Sequence, residues 1–336
     1  MHDVGTPAFG HLFEYLLSAL SGWSHEEFLS SVIRGTYRPE KRYHQIYYGN
    51  ALRLHHALHD LRLDPDQIMT MVLGRGPFGT LLAGSIDLDN LDNVFRMALM
   101  LGLAPEARWP LLFVDQVAVL EGELILPPAL EAVLAEWARL RREVYEFLAF
   151  DVTTLGTQAM LTDALTIALR RGLLGQEHWY FTDEQMLAYL FSHHLTRELI
   201  RRFSVGDVYS WLGTFVYNVG RGATDLRHPD VRDRLAARIG DVLGVPCSPY
   251  VFYDNGSFAK EISFRTPGGE RKVVGMKSRS TIVAVFSKRR GISRRNVPET
   301  IVDGLGDFGL GAGNLMRTFV PETHALAGQT KISFGT

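Results

Sequence analysis

The hydropathy period changes once along this chain, and that change limits the fold to a helical body followed by strands. Apolar residues recur at i, i+3 and i+4 over 8–20, 40–62, 89–101, 129–150, 156–171, 183–203 and 229–243, which predicts amphipathic helices. Turn formers separate several of them, as in Arg75-Gly76-Pro77-Phe78-Gly79 and Leu126-Pro127-Pro128. From Val245 the pattern alternates instead. Segments 250–253, 261–264, 272–274 and 281–286 read as short strands, joined by Asp254-Asn255-Gly256-Ser257 and Pro267-Gly268-Gly269 turns. The expected fold is mainly α, a helical bundle with a small antiparallel β module near the C-terminus. Residues 1–205 form the expected helical domain and 206–336 an α+β module. The tail from Asp303, with Gly304, Gly306, Gly309, Gly311 and Gly313, reads as loop.

Two strings break the helical pattern in a way that suggests chemistry. The first is His2-Asp3-Val4-Gly5-Thr6-Pro7-Ala8-Phe9-Gly10-His11. A core helix avoids Gly and Pro within its turns. An imidazole beside a carboxylate suits a divalent cation such as manganese, iron, nickel, zinc or magnesium. The second is Asp87-Leu88-Asp89-Asn90-Leu91-Asp92-Asn93-Val94-Phe95-Arg96. Asp87 can cap a helix, and Asp89, Asp92 and Arg96 then share one face at i, i+3 and i+7. Leu88, Leu91, Phe95 and Leu99 are expected on the opposite, core-facing side. Taken alone, such a string is most often a solvated surface helix held by local charge pairs; paired with the first, it reads as part of a site.

Together the strings resemble the HD-domain metal-dependent phosphohydrolases, in particular the branch containing the deoxynucleotide triphosphohydrolases. The shared pattern is His2-Asp3-x-Gly5-x-Pro7-x-Phe9-x-His11, then Asp87-x-Asp89-x-x-Asp92-x-x-x-Arg96. It continues through Trp23-Ser24-His25-Glu26 and, more weakly, through 139–145, 160–165 and 181–184. The resemblance covers about the first two hundred residues and implies an HD-type helical bundle. It implies that His2, Asp3 and Asp89 are metal ligands. It makes His25 and His11 the histidines that orient the attacking water or protonate the leaving oxygen, and Arg96 the phosphate-facing arginine. The chain departs from the pattern at Thr6, Asn90 and Asn93, where the family often carries a His, a basic residue and a Tyr. Those departures bear on triphosphate and sugar recognition. The family's first metal histidine lies upstream of the pair, so the chain is expected to be an N-terminally incomplete version of the working protein.

Charge is uneven in one place. Residues 265–295 hold ten Lys or Arg against Glu270 alone, +9 within a chain whose net charge is −2. A solvated strand edge that resists pairing and a polyanion site are both open readings. The resemblance implies regulatory nucleotides in this region, with Arg289, Arg290, Arg294 and Arg295 as candidates, and a homo-oligomer. His55 and His59 stand at i, i+4 but lack the glutamate of a zinc-protease motif, and are expected on a polar helix face. His193-His194 is expected inside an apolar helix. No glycine-rich segment has the context of a dinucleotide fold. One cysteine, Cys247, excludes an internal disulfide, and no apolar run reaches the ~20 residues of a membrane span, so the expected location is the cytoplasm.

The sequence therefore points to a metal-dependent phosphohydrolase cleaving a nucleotide or related phosphoester. Two alternatives are a catalytically impaired HD module that binds nucleotide or a protein partner, and an HD-type nuclease using the same metal and the basic stretch.

Overall fold

The computed structural model describes residues 5–10, 14–18, 24–36, 54–103, 108–219, 225–256, 258–289 and 297–321. In chain order the helices and strands begin with α1 (His25–Ile33), α2 (Pro65–Val72), α3 (Gly79–Ala83), α4 (Leu88–Met100) and α5 (Trp109–Gln116). Strands β1 (Ala118–Leu120) and β2 (Glu123–Ile125) follow, then α6 (Glu131–Phe150), α7 (Val152–Arg170), α8 (Asp183–Ser192) and α9 (Arg197–Ser204). The remainder is β3 (Ser210–Tyr217), α10 (Pro229–Leu243), β4 (Cys247–Asn255), β5 (Ile262–Arg265), β6 (Arg271–Val274), β7 (Arg279–Ser287), α11 (Val297–Gly306) and β8 (Leu315–Phe319). Residues 14–18 and 54–60 are also helical. The fold is mainly α with a β module toward the C-terminus, as the hydropathy pattern predicts.

The chain divides into two compact units, each discontinuous in sequence. One comprises 1–6, 23–147 and 256–278; the other comprises 7–22, 148–255 and 279–336. The segments of the two units alternate along the sequence.

In the first unit, Leu91, Val94 and Ala98 of α4 pack with Trp109, Trp137 and Phe264 in one apolar core. The buried stripe thus runs through 91, 94 and 98, whereas Leu88 and Leu99 are exposed. Of the expected core-facing set, Leu91 is buried and Phe95 packs against the core, so the buried stripe keeps part of the expected face and adds Val94 and Ala98 to it. A mixed sheet closes this unit in the order β1-β2-β5-β6, with β2 and β5 parallel and the other pairs antiparallel. Arg265 and Arg271 pair with Glu123, and Lys272 Nζ lies 2.7 Å from Glu131, so part of the basic stretch is matched by acids of its own unit.

In the second unit an antiparallel sheet runs β4-β7-β3-β8, with Cys247 opposite Ser287 and Asn255 opposite Arg279. One face packs on α10 and α11 through Leu235, Ile239, Ile301 and Leu305. The strand-like segments after Val245 therefore serve two sheets: β4 and β7 pair here, whereas β5 and β6, inserted between them in sequence, pair in the first unit. The tail after Asp303 is not simply loop: α11 runs to Gly306 and β8 pairs with β3. An edge strand of this kind takes its conformation from its neighbour, which local glycine content does not reveal.

The expected helix 183–203 is two helices. His193 leaves the helical region (φ −90°, ψ 130°), and the Arg197 side chain donates to the carbonyls of Phe191 and Ser192. His193 thus lies between helices rather than within one, its ring 4.6 Å from that of Tyr189. Thr182 and Gln185 form a reciprocal capping box at the start of α8. Among the described residues, no helix is long and apolar enough to cross a membrane.

Candidate active site

Helix α4 begins at the residue the sequence marks for it. Asp87 is extended (φ −115°, ψ 159°) and accepts the Asn90 amide at 2.7 Å, as an N-cap does. Its side chain is buried, and a buried carboxylate needs partners. Asn90 Nδ2 donates to both carboxylate oxygens, at 3.0 and 2.9 Å. Lys260 Nζ lies 3.6 Å from Oδ2 and donates to the Gly84 carbonyl at 3.1 Å. Burial pushes the Lys260 ammonium below its ordinary pKa, a shift that the Asp87 charge opposes. The side-chain Oδ1 of Asn90 accepts from Arg141 Nη1. That guanidinium stands 4.3 Å from the Tyr145 ring centre and 5.6 Å from that of Trp137, within range of cation–π attraction.

Past the cap, α4 turns its polar side to solvent. Asp89 is exposed and accepts from Asn93 Nδ2 at 3.1 Å. Arg96 donates to Asp92 at 2.7 Å and to Asn93 Oδ1 at 2.8 Å. The shared face of 89, 92 and 96 is thus present, with Asn93 at its centre joining Asp89 to Arg96.

His25 is the first residue of α1, directly after the capping Ser24. Its Nε2 lies 3.5 Å from Glu26 Oε1, and its side chain is 19% exposed. Gly5, from the His-Asp string, backs onto this residue: a Cβ built on Gly5 would stand 2.1 Å from the His25 carbonyl oxygen and 3.0 Å from the Leu29 nitrogen. Only a residue without a side chain permits that approach. His2, Asp3 and His11 lie outside the described residues, as do Arg290, Arg294 and Arg295. Arg289 is exposed, with its amide bonded to Ser287 Oγ at 3.0 Å. His55 Nδ1 lies 3.1 Å from the Ile33 carbonyl, and His59 is 3.7 Å from Asp60.

The second unit carries its own polar centre. Asp163, in the middle of α7, is buried and meets the Arg232 guanidinium, Lys288 Nζ (2.7 Å), Tyr209 Oη (3.0 Å) and Ser248 Oγ (3.1 Å). Burial alone would raise its pKa, but Arg232 and Lys288 outweigh that and hold it below the ordinary value. Burial, then the neighbouring Asp163 charge, push the Tyr209 hydroxyl well above the ordinary tyrosine value. Asp163 is a point the sequence flags without explaining: a lone acid within Ala159-Met160-Leu161-Thr162-Asp163-Ala164-Leu165 is a charge on an apolar helix face. In the same unit, Phe9 adopts a left-handed backbone (φ 61°) and donates its amide to Asp183 Oδ1 at 2.9 Å.

No family model matches the chain, and no curated protein sequence does either. Among solved structures, it is similar to a phosphohydrolase from Bacteroides thetaiotaomicron. The likeness covers 86% of this chain and 77% of that one, at 14% identity and a TM-score of 0.53. At this identity the likeness shows the fold alone, and the contacts above are those of this chain. Segments picked out by the motif pattern do meet one another within their units: Gly5 with His25, Asn90 with Arg141, Phe9 with Asp183. Lys260 is the partner that sequence reasoning missed. It lies 176 residues from Gly84, in a stretch that carries no motif.

Proposed function

We propose that this chain is a metal-dependent phosphohydrolase acting on a nucleotide or related phosphoester. The observation that carries this reading is the packing of Gly5, the described end of the first motif, on His25 of a second motif, in a chain whose fold is similar to that of a phosphohydrolase. His2, Asp3 and Asp89 would hold the cation. Asp89 fits the role, being exposed with one oxygen engaged, by Asn93, among the described residues. One imidazole with two carboxylates is a donor set that divalent cations accept. When bound, such a cation supplies Lewis-acid polarisation of a phosphoryl oxygen and lowers the pKa of water. His25 would hold or release a proton at its imidazole, and Arg96 would face the phosphate.

The test is metal content together with hydrolysis of a panel of nucleotides, simple phosphoesters and single-stranded oligonucleotides. Replacing His25 by Ala is expected to lower turnover by ~10²–10⁴-fold while leaving metal content unchanged. Activity that survives the change removes His25 from the chemistry. No hydrolysis of any panel member by metal-loaded protein rejects the enzyme reading.

A second reading is a catalytically impaired HD module that binds nucleotide or a protein partner. The observation that favours it is Asn93, which occupies Asp89 and Arg96 together. Nucleotide binding without turnover, in protein that takes up metal, would select it.

A further inference from the structure

The acidic helix face has a support that the motif pattern does not include. Asp89 lies in the first turn of α4, two residues after Asp87. Three side chains from outside α4 or its cap meet that turn or hold those that do: Lys260 on Asp87 and the Gly84 carbonyl, Arg141 on Asn90, and Tyr145 against Arg141. Lys260 itself is fixed in place. β5 begins two residues after it, and Leu126 donates its amide to the Arg265 carbonyl at 2.8 Å, docking that strand on β2. A Cβ on Gly275 would stand 2.4 Å from the Lys260 carbonyl oxygen, so the turn after β6 presses on the same residue from the other side.

A helix N-terminus is the part of a helix most prone to fray, because its first amides have no intrahelical partners. Here the cap itself is a carboxylate away from water, and its stability depends on the cation beside it. Lys260 also bonds the carbonyl of the turn that leads into the helix, so one ammonium group joins the turn, the cap and β5. Among the described residues, loss of the ammonium would leave the Asp87 side chain with Asn90 alone and would remove the side-chain bond to the Gly84 carbonyl.

We propose that Lys260 is a positioning residue for Asp89: it fixes the first turn of α4 so that the Asp89 carboxylate is held ready for a divalent cation. This rests on the metal reading above, and places one of its determinants on a distant strand. Arg141, by gripping Asn90, acts on the same turn from α6. Neither residue touches the cation; each acts through the backbone that carries Asp89.

The experiment compares wild type, Lys260→Met, Lys260→Arg and Asp89→Asn in Mn²⁺ binding by calorimetry, with amide hydrogen exchange over residues 84–93 in metal-free protein. Lys260→Met is expected to weaken Mn²⁺ binding on the order of 10- to 100-fold, the range seen when groups behind metal ligands are removed. Exchange over 84–93 should quicken at the same time, and Lys260→Arg should restore most of both. If Lys260→Met does not stay folded, Lys260→Gln, which keeps a donor for Gly84, carries the same comparison. Mn²⁺ affinity unchanged in Lys260→Met, while Asp89→Asn loses it, overturns the positioning role alone. Wild-type protein that takes no Mn²⁺, or an Asp89→Asn variant that takes as much, overturns the metal reading and this inference with it.

Discussion

Gly5 and His25 meet backbone to backbone, so closely that a methyl group on Gly5 would stand 2.1 Å from the His25 carbonyl oxygen. The neighbouring atoms are main chain, which cannot rotate aside as a flexible side chain can. Gly5→Ala should therefore force the Gly5 backbone away from α1 at a cost of about 1–3 kcal/mol, the usual penalty for overpacking. Urea denaturation measures the cost, and metal content of the folded variant measures the displacement. A variant as stable as wild type, with unchanged metal content, would show that the two segments do not depend on each other.

The exposed network on α4 should contribute little to folding. Asn93→Ala removes a donor from Asp89 and an acceptor from Arg96, but all three side chains have access to water. Exposed pairs of this kind are worth a few tenths of a kcal/mol, so the stability change should stay within about 0.5 kcal/mol. A loss above about 2 kcal/mol would mean that this face is structural and not kept free for a ligand.

Asp163 should behave in the opposite way. Asp163→Asn leaves the buried Arg232 without its counter-charge, and removes that of the more exposed Lys288, for an expected loss of about 3–5 kcal/mol at neutral pH. The acid arm of the stability curve carries a second signature. The folded-state pKa of Asp163 is lowered from its ordinary value of 3.8, so the unfolded chain binds more protons between the two values. The stabilisation is complete above that ordinary value and is lost as pH falls through the lower folded value. Wild-type stability should consequently decline below pH ~4 more steeply than that of Asp163→Asn. Parallel acid arms for the two proteins would show that this carboxylate does not titrate across unfolding.

The β1–β2 turn offers a gain. Glu121 (φ 53°) and Gly122 (φ 80°) both lie in the left-handed region, as the central residues of a tight hairpin turn do. Glutamate pays a steric cost there that asparagine largely avoids. Glu121→Asn should raise stability by up to about 1 kcal/mol, read as a higher midpoint in thermal or urea unfolding. A lower midpoint would mean that the Glu121 side chain makes a contact worth more than the relief of strain.

What the sequence determines by itself here is local. The Asp87 cap, the capping box at Thr182 and the run of α10 from Pro229 to Leu243 each depend on residues within a turn or two of one another, so spacing alone reveals them. The common face of Asp89, Asp92 and Arg96 follows from the helical period for the same reason. Tertiary structure decides which strands pair and which charges are shared. β4 and β7 join one sheet while β5 and β6, lying between them in the chain, join another, because pairing is selected by burial against cores that no short window contains. Asp163 meets partners 46, 69 and 85 residues away, and Lys260 meets a carbonyl 176 residues away. A buried charge demands a partner, and that demand can be read from the chain; the identity of the partner is settled only when folding brings distant segments into the same low-dielectric space.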